Sequence, residues 1–399
     1  MTARFPNFDV ILCGQSQAVM FANGAGETVD GGLANVARVR LQNELATLAP
    51  GVTCFVGPAG SNVTFYADSP LFEEYRGVAS EAFFDASPFA NRSKGTSQRN
   101  YINGRAAANK AGLVVIYQHA QDVAAGVPGF PAGYAAGVGA YVDALIADAG
   151  TAGWGDFAIL PVLSTTRGNG SEEHLTAYRR AWAAVAGDDV WQGLTRRPQV
   201  LTPLYNITTT PAIAVNGADQ THFTRIAAHR NAIAIAQRAA GWLGFATPMA
   251  DQPRLRRARL ITPTTVRAFI ATGKRGAALQ LQNVATARWS FIGGGTVSAV
   301  SAVNNADVAT TGYATIDLTV SGVVAGSSRL RFSANFATPL YQNGHTPPRG
   351  PLLNAAWGLA PGTTLATVTD TGEDVKLPSG QYAIGMANCD AGVIVEAAA

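Results

Sequence analysis

Two hydrophobic rhythms divide this chain. Up to about residue 245, short unbroken apolar runs alternate with stretches in which apolar residues recur every three or four positions. An unbroken run bounded by turn residues is the pattern of a strand buried on both faces, and the three-four spacing is one face of a helix. The runs around Val10 to Leu12, Val52 to Val56, Leu113 to Tyr117, Phe157 to Leu163 and Val200 to Tyr205 predict five strands. Between them lie helical stripes: Leu33, Ala37, Leu41, Leu45 and Leu48, stopped by Pro50-Gly51; an alanine-rich segment from Asn103 to Ala111, with Gly112 as its cap; Val138, Val142 and Leu145; and Leu175, Tyr178, Trp182 and Val185. Ser171 is the expected N-cap of the last of these, with Glu172 and Glu173 in its first turn. Ile226, Ile233, Ala236 and Ala240 mark one further helix. Strand and helix in strict alternation predict an α/β fold, a three-layer α/β/α domain over 1–250 with a five-stranded parallel sheet.

The rhythm changes after Pro248. From about 255 to 399 the helical spacing is gone and period-two alternation replaces it, as in Leu279-Gln-Leu281, Ile316-Asp-Leu318-Thr-Val320 and Arg329-Leu-Arg-Phe332, separated by Gly, Asn and Ser turns. This predicts an all-β accessory domain over 255–399, of sandwich type. At the junction, Arg254-Leu-Arg-Arg-Ala-Arg259 reads as a solvated linker or an edge strand. Residues 61–97 follow neither rhythm and carry Tyr66, Phe72, Tyr75, Phe83, Phe84 and Phe89. Such a stretch is either part of a substrate wall or an insertion that buries its own rings.

Composition narrows the class. Apolar residues make up 47% and charged residues 14% of the 399, which is a compact globular chain and not a disordered one. A formal charge of +3 is small for this length and gives no reason to expect a nucleic-acid partner. No apolar run approaches the roughly 18 residues of a membrane span, and Val10 to Cys13 is too short for a signal-peptide core. Extracellular or cell-surface action stays open if a leader has been removed. The cysteines, Cys13, Cys54 and Cys389, are odd in number and far apart, as expected of buried thiols and not of a disulfide framework.

The candidate chemistry sits at two turns. Gly14-Gln15-Ser16-Gln17 breaks the first predicted strand and presents a hydroxyl at its carboxyl end, where open α/β sheets keep their sites. A serine hydroxyl is inert until a base takes its proton. Gly217-Ala-Asp219-Gln-Thr-His222 supplies one: Asp-x-x-His within a turn lets the carboxylate hold one ring nitrogen and leave the other for the serine. The serine after strand one, Gln118-His119-Ala120-Gln121-Asp122 after strand three, and Asp219/His222 before the last helix resemble the blocks of the SGNH (GDSL-like) hydrolases, and within them the sialate O-acetylesterase-like carbohydrate esterases.

That resemblance implies a carbohydrate O-acetylesterase working through an acyl-enzyme, with Ser16, His222 and Asp219 as the catalytic triad. It further implies an oxyanion hole made by the backbone N–H of Ser16, the backbone N–H of Gly60 and the Gln118 side chain. Gly95 rivals Gly60 for the second donor. Gln17 and His119 are the candidate substrate-contacting residues, His119 having a structural reading as well. His119 and Ala120 depart from the Gly and Glu of the family block. His174 and His229 fall in helical stretches and His345 in a Pro/Gly-rich loop, with no zinc-site spacing among them. The implied partner is an O-acetylated carbohydrate, with no cofactor and no metal, and self-association is left open. Two other classes fit the same scaffold: a carbohydrate-binding or adhesin protein that has lost activity, and a lipid esterase or thioesterase.

Overall fold

A computed structural model of the chain describes residues 7–14, 18, 21, 36–56, 93–106, 111–117, 134–164, 172–188, 191–207, 225–245, 254–271, 279–281, 286, 289–332, 352–354 and 389–398. The chain divides into two compact units, Met1–Thr247 and Pro248–Ala399.

The first unit runs β1 (Asn7–Cys13), α1 (Val36–Leu48), β2 (Thr53–Val56), α2 (Ser93–Ala106), β3 (Ala111–Tyr117), α3 (Tyr134–Thr151), β4 (Asp156–Ser164), α4 (Glu172–Ala186), β5 (Leu204–Ile207) and α5 (Arg225–Trp242). Its sheet has the order β2-β1-β3-β4-β5 with every pairing parallel. β1, β3 and β4 are its continuous centre; β5 joins β4 over a short, register-shifted stretch. Every residue of β1 from Phe8 to Cys13 is fully buried, as a strand covered on both faces must be.

Parallel crossovers are right-handed. Because the chain moves from β1 to β2 in one direction and from β2 across to β3, β4 and β5 in the other, α1 must cover one face and α2, α3 and α4 the opposite one. The contacts agree: α1 packs with α5, while α2 packs with α3 and α3 with α4. The predicted stripes are the ones that face the sheet: Ala37, Leu41 and Leu45 on α1; Val138, Val142 and Leu145 on α3; Tyr178, Trp182 and Val185 on α4; and Ala236 and Ala240 on α5 are all buried.

One boundary needs correction. The helix expected over 103–111 runs from Ser93 to Ala106, and Gly112 is no helix cap but the second residue of β3. A glycine stands there because the Trp154 ring lies where its Cβ would be. Trp154 is pinned in place by its Nε1–H, which donates to the Ile102 carbonyl at 3.2 Å, and by an edge-on contact with Phe157.

The second unit contains β6 (Arg254–Thr262), β7 (Thr265–Ala271), β8 (Leu279–Leu281), β9 (Trp289–Ile292), β10 (Thr296–Val300), α6 (Val308–Thr311), β11 (Tyr313–Ser321), β12 (Arg329–Phe332), β13 (Leu352–Asn354) and β14 (Cys389–Glu396). Where alternation suggested the two stacked sheets of a sandwich, seven of these strands form one mixed sheet, β10-β11-β7-β6-β14-β12-β9, and β8 pairs separately with β13. The inward residues of six of those strands, among them Ala258, Val266, Ile270, Trp289, Ile316, Leu318, Leu330, Phe332 and Val395, share one core, so the sheet curls around its own interior. Its two edge strands are consecutive in the chain, joined by Gly293, Gly294 and Gly295, all at positive φ. Ser328, fully buried, holds that turn by donating to the Gly294 carbonyl at 3.0 Å. Alternation marks which residues point inward but not which strands pair, and a glycine turn linking the edges is what brings the sheet nearly to closure.

The arginine-rich segment Arg254–Arg259 is neither linker nor edge. It begins β6, which lies between β7 and β14 in the interior of the sheet. An antiparallel-type sheet with one wet face accepts arginines there: Arg257 makes a two-pronged pair with Glu396 at 3.1 and 2.7 Å, and its guanidinium lies over the Phe269 ring. On the neighbouring strand β7, Arg267 pairs in the same way with its β11 register partner Asp317, at 2.7 and 2.8 Å. The hydrogen bond from Arg257 holds the Glu396 carboxyl below the usual carboxylate range. Its contribution is therefore present above the unfolded value and lost as pH falls through the folded one, and it is small because both partners are exposed. Cys13 and Cys389 carry thiols, Cys13 buried and Cys389 half-buried; the Cys54 side chain lies outside the described residues.

Candidate active site at the carboxyl edge of the sheet

All five strands of the first sheet point the same way, so their carboxyl ends share one edge. The strand order places a reversal of winding between β1 and β3, and in open α/β sheets the crevice outside the carboxyl ends at such a reversal is where ligands bind. Chain length is distributed accordingly. Helices return to the amino ends of β2, β3 and β4 through 49–52, 107–110 and 152–155, with a longer return to β5 at 187–203, whereas the segments leaving the carboxyl ends of β1, β2, β3 and β5 span 14–35, 57–92, 118–133 and 208–224, with a shorter one from β4 at 165–171. Long connections in a compact domain are concentrated where function is.

The described residues fix the approach to this edge. β1 and β3 run in register to Cys13 opposite Ile116. Gly14, buried, follows with φ 148°, a backbone conformation that a residue with a Cβ rarely adopts, so the turn that leaves β1 starts on a residue only glycine fills without strain. On the other side of the crevice Tyr117 is the last residue of β3.

Two contacts orient the helices. The ring of Phe8, at the start of β1, lies 5.8 Å from that of Trp242, the last residue of α5, so the end of α5 is at the amino edge. With 18 residues α5 is about 27 Å long, and a seven-residue strand spans about 20 Å. The helix therefore carries its first residue, Arg225, back to the carboxyl edge. By the same logic, the Trp154 to Ile102 hydrogen bond puts the end of α2 at the amino edge, and its first turn, which holds Gly95, points the other way. Backbone N–H groups in a helix's first turn have no partner within the helix, so Gly95 keeps its standing as a donor candidate beside Gly60.

Ser16, Gln17, Gly60, Gln118, His119, Asp219 and His222 themselves lie outside the described residues. What the structure supplies is their flanks: Ser16 follows Gly14 by two residues, Gln118 follows Tyr117 directly, and His222 precedes Arg225 by three. Among the described residues no cluster of His, Cys, Asp and Glu is arranged to hold a metal ion. His174 and His229 fall within α4 and α5.

One contact here was not singled out from the sequence. The Cys13 Sγ lies 3.5 Å from the Tyr141 hydroxyl of α3, with both side chains buried. Tyr141 belongs to the same helical face as Val138, Val142 and Leu145, and within an apolar stripe a tyrosine reads as one more core residue.

No protein-family model and no curated protein sequence matches the chain. Among solved structures it is similar to the native aryl esterase of M. smegmatis, at 16% identity and a TM-score of 0.36 over 58% of this chain and 99% of that one. It is also similar to a carbohydrate acetylesterase from Sinorhizobium meliloti, at 16% identity and a TM-score of 0.35 over 59% of this chain and 99% of that one. Likeness at this level carries no assignment.

Proposed function

We propose that the first unit is a serine esterase that removes O-acetyl groups from a carbohydrate. In this reading Ser16 attacks the ester carbonyl, and His222 accepts its proton and returns it to the departing sugar hydroxyl. Asp219 holds the imidazole in the tautomer that leaves one ring nitrogen facing the serine. Water then hydrolyses the acetyl-enzyme with the same base. The Ser16 N–H, the N–H of Gly60 or Gly95, and the Gln118 side chain receive the oxyanion, each donor contributing on the order of 3 kcal/mol to the transition state.

The observation that carries the reading is the Cys13–Ile116 register pair at the winding reversal. The two motif blocks that bear the proposed nucleophile and the proposed oxyanion amide leave neighbouring strands, at one edge, within a few residues of a paired position. An unrelated pair of motifs has no reason to fall on adjacent strands at that point. The α5 direction supports placing the Asp219/His222 block at the same edge.

The substrate class is tested by acyl-chain length. With acetate, butyrate, octanoate and palmitate esters of one alcohol, kcat/KM is expected to be highest for acetate and to fall with each longer chain. A pocket shaped for acetyl rejects added methylenes sterically instead of gaining the roughly 0.8 kcal/mol of burying each. A rise with chain length makes the protein a lipid esterase, and no turnover of any ester favours the binding-protein reading.

A histidine base also sets the pH dependence. Only neutral imidazole accepts the serine proton, so kcat/KM for the acetate ester is expected to rise with pH across the range in which imidazoles titrate, about pH 5 to 8, and then level off. A rate flat across that interval, with chemistry limiting, rules His222 out as the base.

A further inference from the structure

We infer that the outer face of the second unit's sheet holds an anion-binding site between Arg259 and Arg267, and that its ligand is a carboxylate of an acidic polysaccharide. The strand register builds the site. Glu396 of β14 lies opposite Arg259 of β6, Arg259 opposite Arg267 of β7, and Arg267 opposite Asp317 of β11. Four adjacent strands thus set a carboxylate, two guanidiniums and a carboxylate in one row, with the two cations side by side at its centre. By alternation the row points outward, because the residues on either side of it in sequence, among them Ala258, Val266, Ala268, Ile316 and Leu318, form the core. It reaches solvent: the Arg259 and Arg267 side chains are 30% and 38% exposed.

Like charges directly opposite one another in a sheet are destabilising, and the carboxylates of the row do not cancel this pair. Glu396 makes its two-pronged pair with Arg257 and not with its register partner, and it reaches Arg259 only at 3.5 Å. That contact stands alone for Arg259 among the described residues, and its Nε has no acceptor there. Asp317 commits both oxygens to Arg267, which engages them through Nε and one Nη. A guanidinium carries five N–H groups, so Arg267 keeps further donors for a second anion. One carboxylate received by both arginines turns a repulsive pair into a clamp, since the planar fork of a guanidinium matches the two oxygens of a carboxylate.

The surroundings of the pair fit a sugar acid. On the same face Thr265 and Phe269 flank Arg267 along β7, and Thr315 and Thr319 flank Asp317 along β11. They offer hydroxyls to exchange hydrogen bonds with a polyol and a half-buried ring for its C–H surface. A nucleic acid is held chiefly by a run of cations that follows its phosphates, whereas this row has two cations at its centre and a carboxylate at each end. The site uses none of the groups proposed for ester hydrolysis, so the two readings stand or fall separately.

The test is calorimetric titration of the full chain in dilute buffer, where exposed charges are least screened. Its probes are an oligogalacturonide, the same oligomer fully methyl-esterified, and an oligodeoxynucleotide of equal charge. The acid is expected to bind and its ester not to. Arg259→Gln and Arg267→Gln should each weaken binding about fivefold. Arg259→Lys keeps the charge but not the fork, and should recover less than half of that loss. Glu396→Gln, which removes a competing carboxylate, should tighten binding about twofold. Thermal melts confirm that each variant is folded; if Arg267→Gln, which takes the partner from Asp317, is not, Arg259→Gln and Glu396→Gln decide the matter. No binding of the oligogalacturonide, equal binding of its ester, or wild-type affinity in Arg259→Gln overturns the site. Wild-type affinity in Arg259→Lys reduces it to diffuse attraction by charge and overturns the clamp. An oligonucleotide that binds as tightly as the acid overturns the polysaccharide as its ligand.

Discussion

Ser16→Ala is expected to lower ester turnover by roughly 10⁴-fold or more while leaving the unfolding midpoint within about 2 °C of wild type. The two halves of that expectation have different causes. Nothing else in the proposed mechanism forms the acyl bond, so losing the hydroxyl removes the whole covalent route and leaves only what binding and oxyanion donors do for direct attack by water. One hydroxyl after the end of β1 takes no part in the buried run from Phe8 to Cys13 that anchors the strand, so the fold has little to lose. The measurement is kcat/KM for a chromogenic acetate ester beside a thermal melt. Wild-type turnover in Ser16→Ala, purified free of host esterase, defeats the triad. A parallel test is covalent labelling by an organophosphonate, which Ser16→Ala should abolish.

How much of this was legible before the structure follows from what each signal depends on. The strands and stripes of the first unit were readable because double-sided burial forces apolar runs, and Val10 to Leu12, Leu113 to Tyr117 and the Val138/Val142/Leu145 stripe lie where expected. Gly112 was misassigned because glycine answers two demands that look alike in a sequence, the left-handed cap of a helix and the absence of a side chain beneath a ring. The partner that decides between them, Trp154, is 42 residues away. The arginines of β6 read as a solvated linker or an edge strand because charge is usual at both; Glu396, which pairs with Arg257, lies near the other end of the unit. Strand pairing in the second unit was unreadable for the same reason: alternation records faces, while neighbours are chosen by turns and long-range packing.

The candidate site divides along the same line. Motif blocks are local, so Ser16, Asp219 and His222 could be named from the chemistry of their turns, and Gln118 from the family resemblance of its block. What spacing does not contain is which edge of the sheet the flanks of those blocks reach. That depends on the winding reversal between β1 and β3 and on Trp242 fixing the direction of α5.

The largest stability effect is expected at Gly112. A Cβ there falls within the six-membered ring of Trp154, nearer than any real contact. Flexible side chains relieve such clashes cheaply by swinging aside, but this one is held on several counts. Trp154 is mostly buried, its Nε1–H is committed to the Ile102 carbonyl, and its edge packs on Phe157. The backbone has no freedom to yield either, since Gly112 is paired on both sides, with Asp9 of β1 and Phe157 of β4, in the middle of the sheet. Relief therefore requires expelling the indole, with loss of its burial and its hydrogen bond. Gly112→Ala is expected to cost about 3 kcal/mol, at the upper end for overpacking, which lowers the melting midpoint of a domain this size by roughly 6–12 °C. The cause is separable from β-propensity, which favours alanine over glycine in a strand. In Trp154→Leu, whose smaller side chain leaves room, the same Gly112→Ala change should cost less than half as much. Equal costs in the two backgrounds would show that the ring is not what keeps this position glycine.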